Sequence, residues 1–326
     1  MTANEPGALV TANVQWHLAT GAAAVFVFLD DPEDPAAASL AAIPGCHVQL
    51  CDDAYWTERR PTKGRPPSQM RRQTINANFA QNRCDLEWLF HIDADEFIWQ
   101  EGTLAAELAT HDDPMTEVNL PVLERVFPDG VQAGLFDGSF RATSDLSAAA
   151  CDAAFGPFAR MMKRGQYSHG AGKSGVRVGA GLRLGVHTAT RTGSEGRQRR
   201  AAKRVSTSAV LLHFDGLTPV HWVMKVLRYA QTTPEVQAQI LQPHRAAQVA
   251  WLLERCATMA EARAAHRDLF ALTPDRHARL VRFGLSHTIA FDPAARVGAA
   301  MPDLMPAGFD ADVVRRNPWL RDVIDV

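Results

Sequence analysis

The chain lacks the features that would set it apart from ordinary globular proteins. In 326 residues it has only five cysteines, Cys46, Cys51, Cys84, Cys151 and Cys256, scattered, odd in number and without a CxxC pair. Neither a disulfide framework nor a zinc site is indicated, and a reducing, cytoplasmic setting is expected. No uncharged apolar run approaches the ~20 residues of a membrane span. No basic stretch leads into an apolar one at the N-terminus, so no signal peptide is expected. No charge sign dominates: 34 Lys and Arg against 36 Asp and Glu leave a formal charge of −2, which removes the global argument for a nucleic-acid partner. No internal repeat is found. What remains, 46% hydrophobic and 21% charged, is enough chain to bury one large core or two modest ones.

The first half alternates helical and strand patterns. Val10, Val14 and Leu18 recur at helical spacing between Pro6 and Gly21, which suit a helix start and end. Val25 to Leu29 is a short apolar strand that stops at Asp30-Asp31-Pro32. A short helix at Ser39-Leu40-Ala41, a strand from His47 to Leu50, a basic, Pro-rich loop over 57–69 and a helix outlined by Met70, Ile75 and Phe79 follow. A continuous apolar strand is expected over 86–92, and a helix from Leu104. Such alternation implies an α/β fold with a mostly parallel sheet flanked by helices. Residues 118–126 read as one strand, and 129–185 as Gly-, Ser- and Ala-rich loops. Strands at 182–187 and 209–214 each reach a histidine. Thr218-Pro219 opens an amphipathic helix. From about 231 onward the pattern is helical, which suggests a first domain over 1–230 and a helical C-terminal extension over 231–326.

The chemistry concentrates where the 86–92 strand ends. Asp93-Ala94-Asp95-Glu96 places three carboxylates within four residues. In open α/β sheets, ligands gather at the carboxyl ends of strands, so Asp30-Asp31 and Asp93-Asp95 are expected to border one crevice. Asp93 and Asp95, two apart, would point to one side of extended backbone. Two such carboxylates repel unless a cation lies between them, and oxygen ligands suit Mg²⁺ or Mn²⁺.

The string Trp88-Leu89-Phe90-His91-Ile92-Asp93-Ala94-Asp95-Glu96-Phe97 resembles the W-hydrophobic-DxDEF signature of bacterial family 2-like glycosyltransferases of GT-A fold, related to the family 92 group. Asn4-Glu5-Pro6 followed by Trp16-His17-Leu18-Ala19-Thr20-Gly21 resembles that family's opening helix. Gly172-Lys173-Ser174-Gly175-Val176-Arg177 with Gly185-Val186-His187, and His213-Phe214 with Lys225 and Arg228, resemble its later motifs. These pieces keep their order over roughly residues 4–230. The family's pattern has a strand ahead of the opening helix, where this sequence has only Met1-Thr2-Ala3.

The resemblance implies transfer of a sugar from a nucleotide-sugar donor to a polysaccharide or other glycoconjugate acceptor, with a cation on the DxD motif stabilising the leaving diphosphate. It implies Asp93, Asp95, His187 and His213 as metal ligands, Mn²⁺ or Mg²⁺ as the cation, and Asp30, Asp31, Arg72, Asp93, Lys173 and Arg177 as donor contacts. Asp30 and Asp31 have a helix-capping or turn role as their alternative and Arg72 an exposed helix start, while Lys173 and Arg177 are expected on a flexible Gly-rich loop that could close over a diphosphate. Glu96 is expected to brace the acidic turn. For an inverting reaction Asp145 is taken as the base. The basic run Arg197, Arg199, Arg200, Lys203 and Arg204 is expected to be a surface loop, with peripheral contact to anionic headgroups as its functional reading. Two rival functions remain: a sugar-binding or scaffold protein without donor binding, and a metal-dependent phosphatase or nucleotidyltransferase. Phe97 stands where a DxDxT phosphatase has its Thr.

Overall fold

The computed structural model describes all residues except 129–133, 194–195, 234–236, 238–239 and 324–326. Contacts divide the chain into two compact units, each built from three stretches. The first comprises 1–122, 171–211 and 293–302; the second comprises 123–170, 212–292 and 303–326. The fold is mixed α/β, as the alternation implies.

The first unit opens with β1 (Thr2–Ala3), α1 (Gly7–Ala19), β2 (Val25–Leu29), α2 (Ala37–Ala41), β3 (Cys46–Leu50), α3 (Asp53–Arg59) and α4 (Gln69–Arg83). Strands β1, β2 and β3 form a parallel sheet with Thr2 opposite Phe28 and Val25 opposite Cys46. The central strand β2, Val-Phe-Val-Phe-Leu, is covered on both faces and reads as an unbroken apolar run. Val10 and Val14 of α1 pack with Val25, Val27 and Leu29, while Tyr55, Trp56 and Ala80 of α3 and α4 cluster with Phe28.

Next come β4 (Trp88–Phe90), β5 (Glu96–Gln100), α5 (Leu104–Ala109) and β6 (Thr116–Leu120). The expected strand over 86–92 is therefore three residues long, and residues 91–95 lie outside regular structure. The single strand expected over 118–126 is two, β6 and β7 (Val122–Val126). Pro121 separates them, because proline has no N–H for a ladder; its carbonyl still accepts from Leu211 N–H at 2.9 Å.

Later strands return to the first unit: β9 (Lys173–Arg177), β10 (Arg183–Leu184), β11 (Ala189–Thr192), β12 (Gln198–Arg200) and β13 (Ala202–Val205). A second sheet has the order β13-β6-β9-β4. Here β13 runs parallel to β6, but β9 runs antiparallel to both β6 and β4, so the sheets are mixed rather than uniformly parallel. Ile92, Ile98, Leu104, Val118, Leu120 and Leu211 make its core.

In the second unit β7 pairs antiparallel with β8 (Ser139–Ala142), which pairs with a short strand at Ser286–His287. Helices α6 (Ala148–Phe155), α7 (Pro219–Leu227), α8 (Pro243–Arg255), α9 (Met259–Phe270) and α10 (Pro274–Arg282) surround them. Thr218 caps α7 by accepting from His221 N–H, with Pro219 at its first position. The residues after 231 are mostly helical and, apart from 293–302, belong to this unit; Leu272, Leu280 and Leu285 pack with Val126 and Phe155. Among the described residues, no helix is long and apolar enough to cross a membrane.

Candidate functional site

In the first unit, β4 leads into a tight turn closed by Glu96 N–H donating to the Asp93 carbonyl at 3.2 Å. Residues 93–95 are thus not extended, and alternation along a strand does not orient their side chains. Helix α1 holds the turn from beneath. Asn13 Nδ2 donates to the carbonyls of Ala94 at 3.1 Å and Glu96 at 2.7 Å. Trp16 Nε1 donates to the Ile98 carbonyl at 2.9 Å. His17 accepts from Ile98 N–H through Nε2, which leaves Nδ1 to donate to the Asn13 carbonyl at 2.7 Å. Burial pushes His17 down to about 4, consistent with a neutral ring in both bonds.

Asp93 is enclosed by protein groups. Gln73 Nε2 donates to Oδ1 and Lys173 Nζ to Oδ2, each at 2.7 Å. Glu96 Oε2 accepts from Asp93 N–H at 2.7 Å and lies 3.2 Å from Lys173 Nζ. Lys173 and Glu96 are wholly buried, whereas the Asp93 side chain is 27% exposed. Burial alone would raise the Asp93 carboxyl, but the Lys173 ammonium, with His91 nearby, holds it well below the usual carboxylate range. The same two carboxylates raise Lys173 against the opposing effect of burial. The cation that adjacent carboxylates call for is, at Asp93 and Glu96, an ammonium. Glu96 braces the turn, as expected.

Lys173 reaches this position from a strand, which replaces the expected flexible loop. Gly172, at φ +71, makes the bend into β9; a Cβ there would stand 2.2 Å from the Leu120 carbonyl oxygen. Arg177 lies four residues on, opposite Trp88 at the start of β4. That is about 13 Å along the strand by its ~3.3 Å rise. Its guanidinium meets Glu87 at 2.9 Å and the His111 carbonyl at 2.9 Å, so it and Lys173 occupy opposite ends of β9.

The other acidic strand end is tied to the same helix. Arg72 Nε and Nη2 each lie 2.7 Å from Asp30 oxygens, a bidentate pair, and Nη1 donates to the carbonyls of Pro66 and Pro67. Arg65 adds a contact at 2.9 Å. Arg72 is buried, not an exposed helix start. Asp31 is exposed and accepts from Glu33 N–H, a turn role. Neighbouring residues of the first turns of α4, Arg72 and Gln73, therefore gather both acidic strand ends, Asp30 and Asp93. Asp95 is buried on the turn. His187 Nδ1 lies 3.2 Å from the carbonyl of Gly172, the residue before Lys173.

In the second unit, Glu124 is buried and accepts from Arg141 at 2.5 Å, from Tyr167 N–H and from the backbone and hydroxyl of Ser168. Ser168 Oγ is 2.9 Å from His213 Nδ1. With the hydroxyl proton given to Glu124, His213 donates to Ser168 Oγ from Nδ1, so Glu124 and Ser168 fix the orientation of its ring. Asp215 sits between Lys225 at 3.1 Å and Arg245 at 3.4 Å. Asp145 is exposed and paired with Arg164 at 2.6 Å. The basic run forms exposed strands, β12 and β13, in place of the expected loop.

Asn13, Glu124 and Ser168 carry much of this organisation, and the sequence reading passes over them. Asn13 has a signal, an amide on the apolar side of a helix; Glu124 has one too, a lone carboxylate inside an apolar strand. Ser168 has none. The chain matches no model of a known protein family, and none of the curated proteins matches it.

Proposed function

We propose that the protein is a metal-dependent glycosyltransferase of GT-A-like architecture, moving a sugar from a nucleotide-sugar donor to a saccharide or glycoconjugate acceptor. The observation that carries this reading is the convergence of Asp30 and Asp93, two acidic strand ends, on Arg72 and Gln73 of one helix. A rigid acidic turn at the carboxyl end of a strand in an α/β unit is where a nucleotide ligand is expected.

The residues divide their roles. Asp93 does not fit a metal ligand, because Gln73 and Lys173 already take both its oxygens; its role is to position the turn and to meet the donor's polar groups. Asp95 fits: it is a hard oxygen donor on a turn fixed by Asn13, Glu96 and Lys173. A cation bound there would stabilise the charge of a nucleoside diphosphate leaving group. Lys173 keeps the turn ionised and fixed, and α1 keeps it from shifting.

The test is release of nucleoside diphosphate from a panel of UDP-, GDP- and dTDP-sugars with Mn²⁺, beside calorimetric titration of each nucleotide. Mn²⁺-dependent turnover that Asp95→Asn abolishes is expected. Absence of both turnover and nucleoside-diphosphate binding would sink the reading. Substituting His187 and His213 separately to Ala, with Mn²⁺ titrated, assigns the histidine contribution. The second reading, a saccharide-binding or scaffold protein without donor turnover, draws on Arg72: a guanidinium spent on Asp30 and two carbonyls has little left for a phosphate.

A further inference from the structure

The formal charge of −2 hides a segregation. Residues 183–205 hold seven Lys and Arg against one Glu, a formal +6, which leaves 27 against 35, or −8, for the other residues. The seven cations lie on one antiparallel ribbon of the first unit, β10-β11-β12, continued through Ala201 into β13, and every one of them is exposed. Two carboxylates, Glu117 and Asp113, sense this charge. Both are engaged in hydrogen bonds: Glu117 accepts from Ala189 N–H, and Asp113 from Met115 N–H and the Thr116 hydroxyl.

The register separates two faces of the ribbon. Leu184 pairs with Ala189, and both are buried beside Ala77 and Val176. One residue along, Thr190 stands opposite Arg183 on one side and Arg200 on the other. These three therefore form a row on the outer face, spanning about 10 Å at ~4.8 Å per strand. Thr192 and Gln198 form the next row on that face, joined by Gln198 Nε2 donating to Thr192 Oγ1 at 2.8 Å. Arg191 stands directly opposite Arg199, and like charges so placed repel. The base of the ribbon is tied to the acidic turn. His91 Nδ1 donates to the Gly185 carbonyl at 2.7 Å, and the hydroxyl of Ser174, the residue after Lys173, donates to the His187 carbonyl at 2.9 Å.

We propose that the outer face of this ribbon binds an acidic polysaccharide, a saccharide chain bearing carboxylates such as those of uronic acids, and that this chain is the acceptor. The acceptor role rests on the transferase reading; the binding does not. Six of the seven cations are Arg, whose planar forks take carboxylates through two parallel hydrogen bonds. Thr190, Thr192 and Gln198, on the same face, offer hydrogen bonds to sugar hydroxyls. Residues 183–205 contain no Phe, Trp or Tyr, so the bases of a nucleic acid find no stacking platform there. The two outer rows, Arg183-Thr190-Arg200 and Thr192-Gln198, hold no apolar side chain to enter a lipid interface. The ties from His91 and Ser174 set the ribbon beside the turn that the transferase reading gives to the donor, so a chain held on it ends near the reacting sugar.

Calorimetric titration of the full chain with alginate and polygalacturonate oligosaccharides, and with neutral dextran, tests it. At least one of the two polyuronates should bind, dextran should not, and added salt should weaken the binding. Arg183→Gln with Arg200→Gln should weaken it by about tenfold or more. Arg267→Gln with Arg282→Gln, two exposed cations of the second unit, removes the same charge and should leave it unchanged. Failure of both polyuronates to bind overturns the proposal, as does equal weakening by the two double variants. Tighter binding of phosphatidylglycerol vesicles or of duplex DNA than of either polyuronate also overturns it, by giving the ribbon to a membrane or a nucleic acid. Binding is read without any donor, so its failure is a separate result from absence of nucleotide-sugar turnover.

Discussion

Lys173 neutralises two buried carboxylates at once, and removing one member of such a group leaves uncompensated charge in a low-dielectric site. Lys173→Met is expected to lower the unfolding free energy by about 3–5 kcal/mol, read by urea denaturation, while Glu87→Gln, which removes an exposed partner of Arg177, should change it by less than about 0.5 kcal/mol. The pH dependence has a sign. A carboxyl depressed in the folded state stabilises above its unfolded value near 3.9, and that contribution is lost as pH falls below it. The acid limb of the stability curve should therefore flatten in the Lys173→Met chain. His17 acts in a higher window. Its folded value of about 4 lies below the ordinary 6.5, so the unfolded chain binds the extra proton between the two and stability falls as pH drops from 6.5 toward 4. His17→Gln should reduce that slope, measured as unfolding free energy against pH.

At the scale of elements, α1 and β9 fix the acidic turn from two sides. Asn13 supplies both donors that satisfy the carbonyls of Ala94 and Glu96. Asn13→Ala should cost about 1–3 kcal/mol and loosen the turn, seen as faster exchange at Glu96 N–H. On the other side Gly172 lets the chain enter β9 while touching the Leu120 carbonyl. Gly172→Ala combines a left-handed backbone with a 2.2 Å approach, and should destabilise by more than the ~1–3 kcal/mol of backbone strain alone, visible as a lower thermal midpoint. Lys173 is readable as a residue of interest from the sequence, but Gly-rich surroundings suggest a loop. The glycines serve close packing instead: a Cβ at Gly175 would meet the Phe90 ring at 2.3 Å.

For the whole molecule, the sequence suggests a change at about residue 230, yet the later helices outside 293–302 complete the second unit. Gln248 Nε2 donates to the carbonyls of Met161 and Tyr167, Tyr167 Oη donates to the Leu269 carbonyl, and Phe127 exchanges backbone hydrogen bonds with Phe270 and Leu272. A chain truncated after Tyr229 should bind a hydrophobic dye and lose cooperative unfolding by circular dichroism. Were residues 231–326 an appendage, the truncated chain would melt as sharply as the full one.

What the sequence by itself determined is local. Alternating periodicity set the α/β class, Thr218-Pro219 set a helix start, and the abrupt passage from apolar to acidic residues marked the turn at Asp93. Each depends on neighbours within a few positions. Tertiary structure decided the rest. Whether Asp93 faces a metal or an ammonium depends on Lys173, 80 residues away. Whether Asp30 is open to ligand depends on Arg72, 42 residues away. The orientation of His213 depends on Ser168 and Glu124. Charge compensation and strand pairing act through space, at distances of a few ångströms that no spacing along the chain encodes.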